Sequence, residues 1–535
     1  MSQDKTHNAC NGRLLYPQFA IAFIQTFTLD KYLKLRVPQT VFKSEEGSNH
    51  AIEVPKENIW AGKDFAPEYE LDGFDFQLQL FDWIIDGMIE TKGHCSVKVN
   101  IFFNRTVSIT YRFNFDQEVC SSNHPFSTDC IINFISQYLI EPQNYFHIPD
   151  SECERCKLVV SSFPFDEEGN SFEGGLTDNL SGDQGLFREF FLRYKKHLLK
   201  QTSFRRGTPK WYRDGFKHLD YNKISDINDI HYALVDIREN LEHPTSDGKD
   251  LFSWSNEAHF TELDIIRHIK EHHKKEMIGL MSLCPEEWPY RDEDAFSNIC
   301  GEDISLDSDD MVLVGDRVSV VLGTYARRAW NDDSEDSIEW NSLLKEERAS
   351  YGGLSWPEIL LLLQFRLAQK SVLQNASRVL LSTISNEGNV SKIINRNQED
   401  NYILAKSMLQ YDAVDEISSS FRIMSESIAR RLDVDSDRKK FEHNMETISK
   451  ALTNIKEGQS SRREITMNII LGIVSVISAF QLFFVGTRMP FLSDYWHVES
   501  GTLGALIITG VATISIVIVL IALFVSIKSL ILRRK

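Results

Sequence analysis

The chain has 535 residues, with 77 Asp and Glu against 58 Lys and Arg, giving a formal net charge of −19. This acidic balance argues against direct nucleic-acid binding, because a protein that replaces the counterions of a nucleic acid needs a basic surface. Eight cysteines at irregular spacing argue against a disulfide-stabilised secreted domain and indicate a reducing compartment.

Residues 1–150 are predicted to form a β-rich domain. Over residues 96–103 apolar side chains alternate with polar ones, and the alternation resumes over residues 107–113 after a short turn. A period of two in two adjacent segments predicts a β-hairpin with one buried face. Segments 74–85 and 32–42 are predicted to supply further strands.

Residues 151–350 are predicted to form a mixed α/β domain. Apolar residues recur at helical spacing over residues 186–199 and again over residues 261–280. A second hairpin is predicted over residues 311–322, because two Val-rich runs flank a turn at Gly315.

One segment of this domain is basic although the chain as a whole is acidic. Between residues 188 and 217 there are ten Lys and Arg against two acidic residues, a local charge of +8. Arginine pairs with phosphate in a bidentate manner, and Trp can stack on a base, so the segment is a candidate nucleotide site. The alternatives are a basic face that docks on the acidic surface of a neighbouring subunit, or one that binds anionic lipid headgroups. The candidate ligand-binding residues are Arg205, Arg206, Lys210, Trp211 and Arg213.

The same region contains a metal-site pattern. His268, Glu271 and His272 match the H-x-x-E-H pattern of one class of zinc peptidase, in which two histidines one helical turn apart bind zinc. Flanking lysines favour a solvated helix face instead. We expect no enzymatic activity, because the sequence also has no Gly-rich phosphate loop, serine triad or kinase signature.

Two further features are candidates for metal binding. Cys153 and Cys156 form an isolated C-x-x-C pair, without the second pair that a typical zinc site needs. Acidic runs at 286–294, 302–310 and 332–339 could bind a divalent cation such as Mg²⁺, although solvated loops are the favoured explanation. We therefore expect no resident cofactor other than such a cation, and the sequence identifies no metal.

Residues 351–464 are predicted to form a helical hairpin and a long stalk helix. Ser355 is a suitable N-cap, Pro357 suits the first turn, and no proline follows between residues 358 and 489. Two stripes at steps of three and four predict a coiled-coil-like seam for self-association. The stripes are Ile417, Phe421, Met424 and Ile428, and Phe441, Met445, Ile448, Leu452 and Ile455.

Residues 465–535 are predicted to form a transmembrane domain. Segments 465–485 and 503–527 contain no charged residue over 21 and 25 positions, enough to cross about 30 Å of hydrocarbon. Basic residues flank the pair on both outer sides, which predicts a multi-pass protein of the inner (plasma) membrane with both termini in the cytoplasm. These flanking residues are Arg462, Arg463, Lys528, Arg533, Arg534 and Lys535.

The first predicted span has a stripe of small and polar side chains. Small residues allow close contact between helices in lipid, whereas a polar stripe is also typical of a narrow pore. Asn468 favours the pore, because an amide that faces lipid is costly. The candidate pore-lining residues are Asn468, Gly472, Ser475 and Ala479.

This arrangement resembles the CorA superfamily of divalent-cation transporters: a cytosolic mixed domain, a stalk helix that leads into the first span, a short outer loop, a second span and a basic tail. The resemblance covers roughly residues 310–535. It implies a homopentamer in the lipid bilayer whose first span lines a central pore for metal ions. One departure is that the family's Gly-Met-Asn signature corresponds here to Gly486-Thr487-Arg488-Met489-Pro490.

The departure bears on ion selectivity. Arg488 would place positive charge at the outer mouth of a pore, which disfavours a divalent cation, whereas Asp494 and Glu499 would offset it. The enlarged cytosolic part resembles that of CorA-like proteins associated with type III CRISPR systems. That subfamily implies an antiviral membrane effector activated by a nucleotide second messenger, a conjugate of S-adenosylmethionine and AMP.

Overall fold

The computed structural model divides the chain into two units. The first comprises Met1–Glu387 and Asn395–Phe441, and the second comprises Gly388–Ile394 and Glu442–Lys535. The structure describes residues 13–35, 68–82, 87–102, 105–115, 126–139, 156–181, 186–243, 252–253, 262–284, 287–305, 310–323, 357–385, 419–444, 446–447, 450, 468 and 472.

The first unit is a mixed α/β structure. Its strands are β1 (Arg13–Thr28), β2 (Leu33–Leu35), β3 (Glu68–Asp82), β4 (Gly87–Phe102), β5 (Thr106–Phe115), β6 (Phe126–Ser127), β7 (Cys156–Phe165), β8 (Ser171–Ser181), β9 (Thr202–Phe204), β10 (Ile230–His243), β11 (Phe252–Ser253), β12 (Asp310–Val314) and β13 (Val318–Gly323). Its helices are α1 (Thr128–Leu139), α2 (Leu186–Lys200), α3 (Lys210–Lys217), α4 (Glu262–His272), α5 (Lys274–Ser282), α6 (Phe296–Ile299), α7 (Pro357–Ser385) and α8 (Ser419–Arg431).

Most of the described strands join one sheet. Its order is β12-β13-β10-β1-β5-β4-β3-β7-β8, with β11 paired to β10 and β6 paired to β1, while β2 and β9 form a separate pair. The pairing is antiparallel except between β10 and β13, which are parallel. The predicted boundary at residue 150 therefore falls within a single sheet, since strands from both sides of it are neighbours.

Successive side chains of a strand point to opposite faces of the sheet. At the centre of this sheet the two faces carry different types of side chain. On one face Phe23 packs against Phe134 of α1 and Phe191 of α2. The other face carries short hydroxyl side chains, here named the hydroxyl surface, and α7 packs on it across β1, β5 and β10. The hydroxyl surface consists of Thr26, Thr28, Thr106, Ser108 and Thr110, all buried or nearly so.

Both predicted hairpins are confirmed. β4 pairs with β5 around Arg105, which has a positive φ of 67°, and β12 pairs with β13 through a turn that contains Gly315. Segment 186–199 is helical as predicted, whereas the single helix predicted over 261–280 is two helices that meet at His273.

In α8, the residues of the predicted self-association seam that the structure describes pack within the same chain. Met424 and Ile428 of α8 are 2% and 0% exposed, and α8 packs on α7 of the same chain. Arg366 of α7 donates to the backbone and side-chain oxygens of Ser425. The chain turns at Leu432 and Asp433 before it becomes helical again at residue 434, so the two predicted stripes lie on separate helical segments.

In the second unit the described residues are helical. Thr447 donates to the backbone oxygen of His443, and Lys450 pairs with Glu446, both one turn apart. Among the residues that the structure describes, no helix combines the length and apolar character that crossing a bilayer requires. Apart from Asn468 and Gly472, the two predicted spans lie outside the described residues.

Candidate functional site

A cavity of about 690 Å³ lies at the carboxyl end of β1, where β1, α2, α3 and α7 converge. This volume is within the range of about 300–1,000 Å³ that is typical of small-molecule sites. The lining combines aromatic rings, two cations, two carboxylates and several neutral hydrogen-bonding side chains, so the cavity is suited to a ligand that is both planar and polar.

The local sequence places α3 against the cavity. Gly207 has a φ of 84°, and the Thr208 N–H donates to the Arg205 oxygen at 3.1 Å, as in a type II turn. Pro209 follows and directly precedes α3. The turn is held to the segment after β1, because the N–H of Arg205 donates to the backbone oxygen of Tyr32 at 2.9 Å.

One face of α3 supplies the aromatic wall. Trp211 is 69% exposed although it lines the cavity, and an exposed ring of this size can accept a stacked partner. The rings of Tyr212 and Tyr32 have centroids 4.7 Å apart, and Tyr212 and Phe216 are stacked at 6.1 Å. Burial, together with the neighbouring Asp30 carboxylate, raises the pKa of Tyr212 well above its usual value, so its hydroxyl stays protonated.

The opposite face of α3 is basic. At about 100° per residue, the mean direction of Lys210, Arg213 and Lys217 is about 160° from that of the α3 residues that line the cavity. All three are exposed, and none of them lines the cavity. The helix therefore separates two of the predicted ligand-binding residues, Lys210 and Arg213, from the cavity that Trp211 lines.

A buried ion pair lies in another wall of the cavity. Lys195 of α2 contacts both carboxylate oxygens of Asp229, at 2.6 and 2.8 Å, and their side chains are 9% and 2% exposed. Gln25 donates to the same carboxylate at 2.8 Å and accepts from the Tyr111 hydroxyl at 3.0 Å. Burial raises the pKa of Asp229, while the Lys195 ammonium opposes that shift. These contacts link the cavity to the sheet centre.

The third wall belongs to α7. Ser371, Asn375 and Arg378 line the cavity, and they lie on one face of the helix at steps of four and three residues. The hydroxyls of Ser371 and Thr28 are 3.1 Å apart, and Arg378 donates to the backbone oxygen of Asn228 at 3.4 Å. Arg378 thus supplies a cation to the cavity beside Lys195.

The basic segment of residues 188–217 divides into two groups. The first group is used in folding: Arg188 donates to the backbone oxygens of Tyr138 and Leu139, and Lys196 to that of Glu167. Lys200 also belongs to it, since its ammonium contacts Asn170 and lies over the Tyr221 ring. The second group is exposed to solvent and contains Arg205, Arg206, Lys210, Arg213 and Lys217.

The predicted zinc pattern lies on α4, away from the cavity lining. Glu271 and His272 are exposed, and the rings of His268 and His272 have centroids 4.5 Å apart. Within the described ranges, no group of three or more His, Cys, Asp or Glu side chains could hold a metal ion. The described residues thus bring together two imidazoles for the predicted zinc site, but they supply no third ligand. Cys153 lies outside the described residues, and Cys156 begins β7.

Two of the candidate pore residues are described. Asn468 is helical and exposed, and Gly472 is helical and partly exposed, which agrees with a helix at the start of the predicted first span. The remaining candidates lie outside the described residues: Ser475, Ala479, Arg488, Asp494 and Glu499.

Sequence reasoning found Trp211 but not most of the cavity. Asp229, Gln25 and Arg378 come from segments far apart in the chain, and only the fold brings them together. The polar stripe of α7 is visible in the sequence as Ser371, Asn375 and Arg378 at helical spacing, and that signal could have indicated a polar contact. Comparison of the chain with protein-family models, with curated proteins and with solved structures finds no match.

Proposed function

We propose that the first unit is a sensor for a nucleotide-like ligand, and that the ligand gates a CorA-like homo-oligomeric channel formed by the predicted C-terminal spans. The observation that carries this proposal is the cavity beside α3. It combines an exposed Trp211 ring with the guanidinium of Arg378 in a volume of about 690 Å³.

The chemistry of the walls favours a ligand with a planar ring and an anionic group. The aromatic side of α3 offers faces on which a base can stack. Arg378 offers a planar guanidinium that suits phosphate or carboxylate oxygens, and Asn375 offers neutral hydrogen bonds. A nucleotide combines these three requirements in one molecule.

The membrane part of the proposal rests on the sequence. Two charge-free segments at 465–485 and 503–527, with basic flanks, support a two-span unit in the inner membrane with cytoplasmic termini. The resemblance to the CorA superfamily supports a pentamer with Asn468 towards the pore. On this proposal the cytosolic sensor and the pore belong to the same polypeptide.

A second candidate is a type III CRISPR-associated membrane effector. The absence of Asn after Met489 and the positive charge of Arg488 favour it, because an effector needs a triggered opening but no selectivity for divalent cations. Both candidates share the cavity and the spans, and they differ in the ion that passes and in the signal that opens the channel.

Calorimetric titration of the detergent-purified full-length protein with AMP tests the sensor. Adenosine, which has the ring without phosphate, and ribose 5-phosphate, which has phosphate without the ring, are the matched controls. We expect AMP to bind more tightly than either control, since it engages both the aromatic wall and Arg378. Binding of ribose 5-phosphate as tight as that of AMP would rule out a role for the aromatic wall, and no binding of AMP would contradict the sensor.

A further inference from the structure

A stripe of polar side chains runs along the face of α7 that meets the sheet. Gln364, Ser371, Asn375 and Arg378 follow one another at steps of seven, four and three, which places them within about 60° on one face of the helix. The first part of the stripe contacts the hydroxyl surface and the last part lines the cavity.

Buried hydrogen bonds join α7 to the hydroxyl surface, beside apolar contacts such as that of Phe365 with Phe102. Gln364 donates to the hydroxyl of Thr110, and the Ser371 hydroxyl is 3.1 Å from that of Thr28. The hydroxyls beneath the helix also pair with one another, Thr26 with Ser108 at 3.2 Å and Thr28 with Thr106 at 3.3 Å. A Thr28 hydroxyl that loses Ser371 thus keeps a partner in Thr106, which lowers the cost of moving α7.

The cavity end of the stripe has a weak contact that a ligand can replace. The guanidinium of Arg378 donates to the neutral backbone oxygen of Asn228 at 3.4 Å, a long distance for such a bond. A phosphate would form shorter, charge-assisted bonds with the same guanidinium, and these are about twice as strong as neutral ones. An anionic ligand therefore draws Arg378 away from Asn228.

We propose that α7 is the element that transmits ligand binding: the bound ligand captures Arg378, and α7 shifts so that the Ser371–Thr28 hydrogen bond breaks. This inference rests on the proposed function of the cavity. α7 ends at Ser385, close in sequence to Gly388, where the second unit begins. Ligand binding thereby acts on the helix that leads along the chain towards the second unit.

A reversible disulfide between β1 and α7 tests this inference. Thr28→Cys with Ser371→Cys places two sulfurs where hydroxyl oxygens lie 3.1 Å apart, so a bond of about 2.05 Å needs little movement. If binding requires the shift, linkage demands that the oxidised protein bind AMP more weakly than the same protein after reduction. We expect at least a tenfold loss of AMP affinity on oxidation, measured by calorimetry on the full-length protein.

A second variant keeps the test independent of disulfide formation. Ser371→Ala removes the hydroxyl that holds α7 in its unliganded position, so we expect AMP to bind about twofold to tenfold more tightly, the change expected for one hydrogen bond. If Ser371→Ala only removed a contact with the ligand, AMP would bind more weakly instead of more tightly. Equal AMP affinity of the oxidised and reduced double-cysteine protein, or no gain with Ser371→Ala, would overturn the inference. Failure of the wild-type protein to bind AMP would instead contradict the sensor itself.

Discussion

Trp211 and Arg213 lie two residues apart on α3 but on opposite faces, and they make a matched pair for locating the ligand. Trp211→Ala removes the exposed ring of the cavity, and we expect AMP binding to weaken by about 1–3 kcal/mol, the typical value of one base stacked on an aromatic side chain. Arg213→Ala changes a solvent-exposed side chain, and we expect an effect within about 0.5 kcal/mol. Calorimetric titration with AMP measures both.

The opposite ranking would be equally informative. If Arg213→Ala, or Arg205→Ala with Arg206→Ala, abolished binding while Trp211→Ala had no effect, the ligand would occupy the basic outer face that the sequence predicts. The cavity would then have another role.

Lys195 is expected to be essential for stability because its removal leaves Asp229 charged and buried. Lys195→Met should lower the free energy of unfolding by about 3–5 kcal/mol near neutral pH. The pKa of Asp229 is raised by burial, so the folded state takes up a proton more readily than the unfolded chain as the pH falls. The destabilisation should therefore be smaller at about pH 5 than at about pH 8, as measured by denaturant unfolding.

The control for this prediction is the double variant Lys195→Met with Asp229→Asn. It removes both charges, so it should recover much of the lost stability and should show no comparable pH dependence. A Lys195→Met protein as stable as wild type at both pH values would show that Asp229 finds another compensating partner.

At the level of single residues, the sequence shows which residue types cluster along the chain, but not which of them are buried in the fold. The run of ten cations is evident in the sequence, but it is the structure that shows Lys195 and Lys196 buried and Lys210 and Arg213 exposed. That division depends on which face of α2 meets the sheet and on which face of α3 meets Tyr32 and Phe204. Because the sheet partners come from residues far away in the chain, the charge pattern alone could not supply it.

At the level of secondary-structure elements, close packing between neighbouring segments can be tested by substitution, and Gly279 of α5 is the most suitable position. A Cβ atom on Gly279 would lie 2.6 Å from Cβ of Trp288, whose ring is buried and donates to Asp129 at 2.9 Å. Trp288 cannot withdraw without losing that hydrogen bond, so we expect Gly279→Ala to cost about 1–3 kcal/mol in thermal or denaturant unfolding.

Gly215 of α3 is the matched control. It is also helical, but a Cβ atom there would meet nothing within 4 Å. Gly215→Ala should therefore be neutral, or stabilising by up to about 1 kcal/mol through helix propensity. If both substitutions had the same effect, the packing of Trp288 against Gly279 would not be a source of stability.

Strands with one buried face can be predicted from the sequence, whereas a strand buried on both faces cannot. The hairpins of residues 96–113 and 311–322 have clear signals, and both are confirmed. β1 is an interior strand with both faces covered, and its run of Phe, Ala and Ile therefore lacks the alternation that identifies a strand. The stripe of α8 is apolar in the sequence, but an apolar stripe alone does not distinguish burial against α7 from self-association.

At the scale of the whole molecule, the decisive measurement is membrane retention. We expect the full-length protein to stay in the membrane fraction through alkaline carbonate washing, because segments 465–485 and 503–527 carry no charge. A chain that ends at Glu464 should be released into the supernatant. Full-length protein that remains in solution without detergent would contradict the predicted spans, the channel and the CorA-like arrangement together.

The order of β1 and its partners along the chain has a consequence for biosynthesis. β1 leaves the ribosome before β10, which covers one of its edges and begins 217 residues after Arg13. At about 5–20 residues per second, that edge of an apolar strand stays open for roughly 10–40 s. Open apolar edges recruit other nascent chains, so production of this protein should depend on chaperones that bind its first segment until Ile230–His243 has been translated.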